Sequence, residues 1–509
     1  LKFIHHQNFT FMKKWTLSLA LTCFALFLTA QSLTLDSTFG VNGALKTYLN
    51  EPYGNPYGQN VVQLPNGEVA TIGYGVDSIG FAAVEKFGND GALDSSFSLK
   101  LRNLTSSNLA LSAQADGKML ATGTRSAAPY PGMVFRLNPD GSLDPGFGTD
   151  GAASIEATCF DNILPMQLSN GQMVVFGDET PLPSDISIFA CRLHSNGVID
   201  ANFGQNGYFR FALEDERVLV TAGVEQTDGK LLLAGMSSWV PFVVRINTNG
   251  SIDSTFGTGG YLIQPMPEGG ETYAITLQPD GKIILCGYSD PGFQPTVARL
   301  LPNGSLDPSF GNGGVVYLTE LPNYTEGIGI EVLPNGNLLA GISSFDYENF
   351  YLAQLLPSGE RDSSFGLNGV YVYLNDDFRA RAMNRSANML AVSGFADSGN
   401  KVVLLRFILD LSVGTLNPND LAALQLLVYP NPLSEHFNLK FELLEQAQVS
   451  IRAFDLQGKP VQTLVQDQTF AAGQHDLNLL WAKQLSAGNY ILSLEVAGKK
   501  TKSIQIMKK

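Results

Sequence analysis

The chain has few of the residues that most enzymes use for chemistry. Its 509 residues include 5 histidines, 4 cysteines and 3 tryptophans, and charged residues make up only 16%. His5 and His6 precede Met12, and His436 and His475 lie near the C-terminus, so His194 is the one histidine of the central region. It sits in the turn-like RLHSNG, where sister segments carry Asn or Leu, and reads as a solvated turn residue. Beyond Cys23, which lies in the apolar N-terminal run, remain Cys159, Cys191 and Cys286. An odd number implies no disulfide framework, and Cys191 and Cys286 stand where related segments carry Ala, as small buried side chains. One histidine and three scattered cysteines cannot assemble a zinc set. GxSxG, HExxH, GxxxxGK[ST] and the calcium-loop pattern are all absent. No metal, no cofactor and no catalytic residue is therefore expected. Positive charge is scarce too: 32 Lys and Arg against 47 Asp and Glu leave a net charge of −15, which excludes nucleic acid as a partner and disfavours an anionic membrane surface. Only the N-terminus carries a long apolar run, so an integral membrane protein is not expected.

That run supplies an address. Met12-Lys13-Lys14 precedes an apolar stretch from Trp15 to Leu28 and a small-residue exit at Thr29-Ala30, the three parts of a secretory signal. We read residues 1–11 as a misread start and 12–30 as a signal peptide cleaved after Ala30. The mature protein is expected to be exported.

What the sequence has in abundance is a repeat. LDSTFG at 35, LDSSFS at 93, LDPGFG at 143, IDANFG at 199, IDSTFG at 252, LDPSFG at 306 and RDSSFG at 361 recur every 50 to 58 residues, a period that suits a four-stranded propeller blade. Each unit contains short apolar runs separated by turn dipeptides such as Asn66-Gly67, Asp116-Gly117 and Asp280-Gly281, and no long stretch of helical period appears. We place that hairpin between the second and third strands. The third strand ends in Gly in every unit (Gly73, Gly123, Gly177, Gly235, Gly287, Gly341, Gly394), permitting a bulge or close backbone approach. The fourth strand carries Arg136, Arg192, Arg245, Arg299 and Arg406, with Lys86 and Gln354 at the equivalent positions. A carboxylate that appears seven times serves every blade, so Arg or Lys to Asp is read as a brace, with the Asp also capping the turn backbone. The last unit runs out at LLRFILD (404–410) while the chain opens with a spare LDSTFG, so the N-terminal segment should complete the seventh blade.

These units resemble the delta-60 repeat family, which implies a β-propeller and says almost nothing of activity. Departures are Ser98 for Gly, Arg361 for Leu or Ile, and 384–388 for the Asp-Gly turn, each expected to loosen one turn. The C-terminal region differs. Tyr429-Pro430-Asn431-Pro432, the tract Asp455-Leu456-Gln457-Gly458-Lys459 and Gly488-Asn489-Tyr490, on alternating strands, closely resemble the type A sorting domain of the type IX secretion system. That resemblance implies passage across the outer membrane by the type IX machinery and a secreted, extracellular or outer-membrane-surface location. The basic tail Lys499, Lys500, Lys502, Lys508 and Lys509 reads as a solvated strand face, with docking to an acidic translocon surface as the alternative. The expected fold is all-β: a seven-bladed β-propeller over 31–412, a linker over 413–424 and a small immunoglobulin-like β-sandwich over 425–509.

In an up-and-down blade the hairpin turns and the LDxxFG segments share one face, and everything that varies between repeats collects on the other. Candidate ligand-binding residues there are Tyr53, Tyr57, Tyr130, Asp215, Trp239, Tyr324, Tyr347 and Asp377, because unshared loops on a rigid scaffold are where recognition is built. The expectation is a non-enzymatic module for a glycan or protein. An extracellular carbohydrate-active enzyme using paired carboxylates, or a structural adhesion protein, is the alternative.

Overall fold

The computed structural model describes residues 33–508 apart from 48–57, 77–79, 105–108, 128–129, 159–162, 180–186, 214–217, 267, 323, 346–348, 367, 375–377, 397–400, 410–425, 430–435, 444–445, 455–459, 481–487 and 497–498. The expected signal peptide and linker lie outside them. Among the described residues every regular element is a β-strand.

From 58 to 409 the chain forms seven antiparallel sheets, each a meander of strands in chain order. The first comprises Gly58–Gln63, Val69–Val76, Gly80–Phe87 and Leu93–Arg102. First strands pack on the sheets beside them, and Arg379–Ser386, the first strand of the seventh sheet, packs on Gly58–Gln63 of the first, so the array closes on itself. The two ends of the propeller chain make the last sheet together. Leu33–Leu35 and Ala44–Thr47 both pair with Lys401–Leu409, with Leu33 opposite Leu409 and Ala44 opposite Leu405. Closure by chain ends from opposite termini leaves no open sheet edge between first and last blades.

Position in the blade explains the sequence pattern. Second strands such as Met173–Glu179 and Leu231–Ser237 are buried throughout, because each is covered by a neighbouring sheet on both faces, and they read as continuous apolar runs. The core is a set of seams. In one, Leu120 and Val134 of the second sheet meet Met173, Val175 and Phe189 of the third, each such side chain contributing about 1.5–3 kcal/mol.

One expectation is corrected. The Asn-Gly and Asp-Gly hairpins join first to second strands, and the LDxxFG segment joins third to fourth, one strand earlier than read from sequence. The cause is the outermost strand, which is as short as Tyr261–Ile263 or Val315–Tyr317 and only half buried, so it carries too little apolar signal to be assigned to the blade it closes. The two faces keep their identities, since both repeated turns still fall at one end. The strand-end glycine sits opposite a bulge: register shifts at Val220/Ala222 and Thr272/Ala274 face Gly235 and Gly287, where a Cβ would lie 1.9 Å from the Leu219 or Glu271 carbonyl oxygen.

The repeated motif is a joint between blades. Arg245 Nε donates to Asp253 Oδ2 at 2.8 Å, and Asp253 Oδ1 accepts from the Thr255 amide at 3.1 Å and hydroxyl at 2.7 Å. The guanidinium lies 4.7 Å over Phe256 and its Nη1 donates, at 2.6 Å, to the Pro302 carbonyl in the next sheet. The Gly257 amide donates to Asn303 of that same turn at 2.9 Å. Arg136, Arg192, Arg299 and Arg406 reach Ser195, Thr248, Pro357 and Asn89 of their following sheets in the same way, and Lys86 reaches Pro139. In the sixth sheet the position holds Gln354, which bonds only its own Asp362 at 2.8 Å. The turn an arginine would reach there is the place where the chain enters and leaves the ring.

Departures from the motif have unequal effects. At Ser98 the excursion is shortened: Leu93–Arg102 is one strand whose register jumps from Leu93 opposite Phe87 to Ser98 opposite Glu85, and Asp94 still accepts from the Ser96 amide at 3.0 Å. At 384–388 the hairpin survives, tightened around Ala387 with φ 51°. Arg361 packs its stem under Gly369 and pairs with Glu320.

The C-terminal region forms a three-stranded sheet (Leu426–Tyr429, His436–Leu443, Gly473–Leu480) and a four-stranded sheet (Pro460–Phe470, Ala447–Phe454, Gly488–Val496, Lys499–Lys508). Phe437, Leu439 and Phe441 of one meet Ile451, Leu492 and Leu494 of the other in a single core, the arrangement of an immunoglobulin-like sandwich. Tyr490 is buried in that core, while Tyr429 and Gly488 lie on strands. Pro430, Asn431, Pro432, Asp455 and Gly458 lie outside the described residues.

Candidate ligand-binding face

Connections from second to third strands and from one sheet to the next share the end opposite the repeated turns. Between the fourth and sixth sheets they meet in one aromatic assembly. Phe293, in the second-to-third connection of the fifth sheet, has its ring centroid 4.7 Å from Tyr288, 5.8 Å from Tyr324 and 5.3 Å from Phe345. Backbone bonds stitch the loops beneath: the Tyr324 amide donates to Gly292 at 3.1 Å, and Phe345 donates to the Tyr324 carbonyl at 3.0 Å. On the other side of the fifth sheet, the Trp239 carbonyl accepts from Gly270 at 3.0 Å.

The backbone of these aromatics is unusual. Ser238 and Trp239, the two central residues of the hairpin joining Leu231–Ser237 to Val240–Ile246, have φ of 47° and 67°. A two-residue turn with positive φ at both positions normally takes Asn-Gly, whose conformational cost is low. Tyr130, Phe293 and Tyr324 also occupy the left-handed region, at 57°, 52° and 63°. Bulky residues held there cost about 1–2 kcal/mol each, and such positions gather where a side chain is held for a purpose other than stability. Trp239 is 51% exposed and Tyr324 62%.

The charged groups beneath the rings have partners within the protein. Glu326 accepts from Arg379 Nη2 at 2.9 Å and lies 3.7 Å from Arg381 Nη1, and the Arg379 guanidinium stacks 4.5 Å over Phe345. Glu271 accepts from the hydroxyls of Tyr273 and Tyr288, whose pKa values rise through burial and the charges of Glu271 and Glu326, keeping both phenols protonated as donors. Glu271 and Glu326 are both buried.

Of the residues expected on this face, the structure places Tyr130, Trp239 and Tyr324 there; Tyr53, Tyr57, Asp215, Tyr347 and Asp377 lie outside the described residues. Sequence reasoning missed Phe293, Tyr288, Glu271, Glu326 and Arg379. SDPGFQ at 289–294 aligns with SSWVPF at 237–242 and could have pointed to Phe293. The cysteines behave as core residues, since burial pushes the thiols of Cys191 and Cys286 up to about 12. His194 is exposed in its turn, 3.8 Å from Asp200. Two cavities of about 590 and 380 Å³ lie along the ring axis at the turn-bearing end, not under the aromatic loops, and share Ser112, Ala113 and Pro165 as a wall. Among the described residues no cluster of three or more His, Cys, Asp or Glu could hold a metal ion.

A family described as a domain of unknown function (DUF5122) β-propeller matches residues 114–147, 226–256 and 278–310, and the secretion system C-terminal sorting domain matches 427–509. The chain carries DUF5122 β-propeller repeats and a type IX secretion sorting domain. It is therefore an exported protein, secreted or attached at the cell surface, whose delivery engages the type IX machinery. No helix among the described residues is long and apolar enough to cross a membrane. No curated protein matches the sequence. Similar solved structures include the Cps50 (Swd1) β-propeller domain of Myceliophteria thermophila (13% identity, 71% of this chain and 99% of that one, TM-score 0.38). The BP39L lectin of Burkholderia pseudomallei (13%, 69% and 97%, 0.41) and polysaccharide lyase Uly1 (10%, 75% and 98%, 0.43) are others. What those proteins bind or cleave has no bearing on this chain at such identities.

Proposed function

We propose that this type IX-exported propeller is a non-enzymatic binding module that takes a glycan or protein ligand on its loop face. The observation that carries this reading is the set of loop aromatics, Tyr130, Trp239, Phe293 and Tyr324, held with positive φ. Gly and Asn adopt that conformation at lower cost, so rings placed there are explained by contact with a partner. The carboxylates beneath support binding over hydrolysis. Glu326 is engaged by Arg379 and Arg381 and Glu271 by two phenols, so both carboxylates already have partners within the protein. The test is a binding screen of the full chain against soluble polysaccharides and outer-surface proteins, run beside a hydrolysis assay on the same polysaccharides. Saturable binding lost on Trp239→Ala without product formation is expected. Product formation abolished by Glu271→Gln or Glu326→Gln would replace this reading with the enzymatic one.

A further inference from the structure

The loop face carries enough detail to name a ligand class, an inference that rests on the binding reading above. We propose that the ligand is an uncharged glycan chain that lies across the fifth sheet, with one sugar ring stacked on Trp239 and another on Tyr324.

Three observations point this way. The two rings are the most exposed aromatics of the described loop face and stand on either side of one blade: Trp239 is bonded through its carbonyl to Gly270 at the start of the fifth sheet, and Tyr324 through its amide to Gly292 in that sheet's outer loop. A chain crossing the blade meets both. Each ring is projected by a backbone held at both ends, by the two-residue hairpin at Trp239 and by the Gly292 and Phe345 bonds at Tyr324, so stacking requires little further ordering. The flat apolar face of a pyranose, with its C–H bonds pointing to one side, matches an exposed aromatic platform. A protein partner would instead call for a contiguous apolar patch, and here the exposed rings are separated by the polar SDPG loop. The buried carboxylates under the rings are engaged within the protein, Glu326 by arginines and Glu271 by two phenol hydroxyls. Neither buried carboxylate is left to pair with a charged ligand, and Asp290 of the loop between the rings opposes an anionic one, so recognition falls to ring stacking and hydroxyl contacts.

The experiment is calorimetric titration of the full chain with oligosaccharide ladders of two to six sugars from cellulose, xylan, mannan and starch, with oligogalacturonates and chitosan oligomers as charged counterparts. At least one neutral ladder should bind, with affinity rising about tenfold or more from the shortest to the longest member as the second ring is engaged. Binding should be unchanged between about 50 and 500 mM salt, because no ion pairs form. Trp239→Ala and Tyr324→Ala should each remove the length dependence with an unchanged or raised unfolding midpoint, and Trp239→Tyr and Tyr324→Trp should restore it. Binding of charged oligomers alone, neutral binding without length dependence, or alanine variants that bind as the wild type would overturn the proposal. If no ladder binds but Trp239→Ala abolishes capture of an outer-surface protein, the binding face stands and the glycan assignment falls. If neither class responds, both fall.

Discussion

The two ends of the propeller fill the same backbone conformation with different sets of residues. At the turn-bearing end, left-handed positions are filled by Gly67, Gly117, Gly250 and Gly304 and by Asn42, Asp150 and Asn206, the residues for which that conformation costs least. At the loop end Gly269, Gly270, Gly292 and Asn103 take some of these positions, but Tyr130, Trp239, Phe293 and Tyr324 take others. The first set serves assembly. A Cβ on Gly250 would lie 2.2 Å from the Gly204 amide nitrogen, so that glycine admits the neighbouring blade. The second set costs stability and gains exposed surface. The difference teaches that repetition marks what holds the ring together, and that breaches of local preference mark what the ring presents.

The sharpest test of the turn-bearing end is acid, because it acts on most of the joints at once. Hydrogen bonds from Lys118 and the Gly146 amide, with the charge of Arg136, hold Asp144 down at about 2. Although burial opposes it, Ser309 and Arg299 hold Asp307 at about 2 as well, and Asp36, Asp200 and Asp253 are lowered by the same kinds of partner. A carboxylate whose folded pKa lies below its unfolded value of about 3.9 stabilises fully above that value and loses its contribution as pH falls toward the folded one. The unfolding midpoint should therefore drop steeply between about pH 4 and 2, which a series of thermal melts would detect. A flat profile there would break the account of the joints.

A single joint comes next. Arg406 closes the ring by bonding Asp36, 370 positions away in sequence, at 2.8 Å, so Arg406→Ala should cost about 3–5 kcal/mol by stranding a buried carboxylate. Denaturant unfolding of Arg406→Ala and Arg245→Ala would show whether the closing joint differs from an ordinary one. Glycines can be ranked in the same assay. Gly250→Ala meets backbone atoms and should cost about 3–5 kcal/mol, whereas Gly171→Ala, whose new methyl would meet nothing within 4 Å, should cost only the left-handed penalty of about 1–2 kcal/mol. Equal costs would show that conformation alone, without blade contact, explains the turn glycines.

The loop end should respond with the opposite sign. Replacing Ser238-Trp239 with Asn-Gly should raise stability by about 1–2 kcal/mol while removing ligand binding, a trade that thermal melts and titration would both record. Destabilisation would mean that the Trp239 ring is a packing residue. The smallest expected effect is none. Deleting 425–509 should leave the propeller's melting transition in place, since its sheets close without the sandwich, while fractionation should find the truncated chain absent from the cell surface.

Legibility in the sequence followed repetition. LDxxFG, the Arg on the preceding strand and the Asn-Gly hairpins could be read because seven copies average out local noise, and Arg245 bonding Asp253 followed from the spacing. The reach of each Arg into the next blade could not, because a single repeat carries no record of its neighbour's turn. Strand phase was misplaced because an outer strand of three residues, such as Tyr261–Ile263, has almost no periodicity. The aromatic assembly was legible only in part: Tyr324 and Trp239 stood in visibly variable loops, but Tyr288 lies inside a buried strand and looks like core.

By itself, the sequence determined the class of the molecule, its repeat, its pairing of Arg with Asp, the complementary chain ends and the sorting domain, because each depends on contacts within one unit or on a motif of adjacent residues. Tertiary structure alone decided which backbone positions are left-handed, that Phe293 meets Tyr324 and Phe345 from separate blades, and that Glu271 and Glu326 are spent on phenols and arginines. The physical reason is that closing the ring brings together loops 30 to 60 residues apart whose composition follows no shared pattern, so their contacts exist only once every blade is in place.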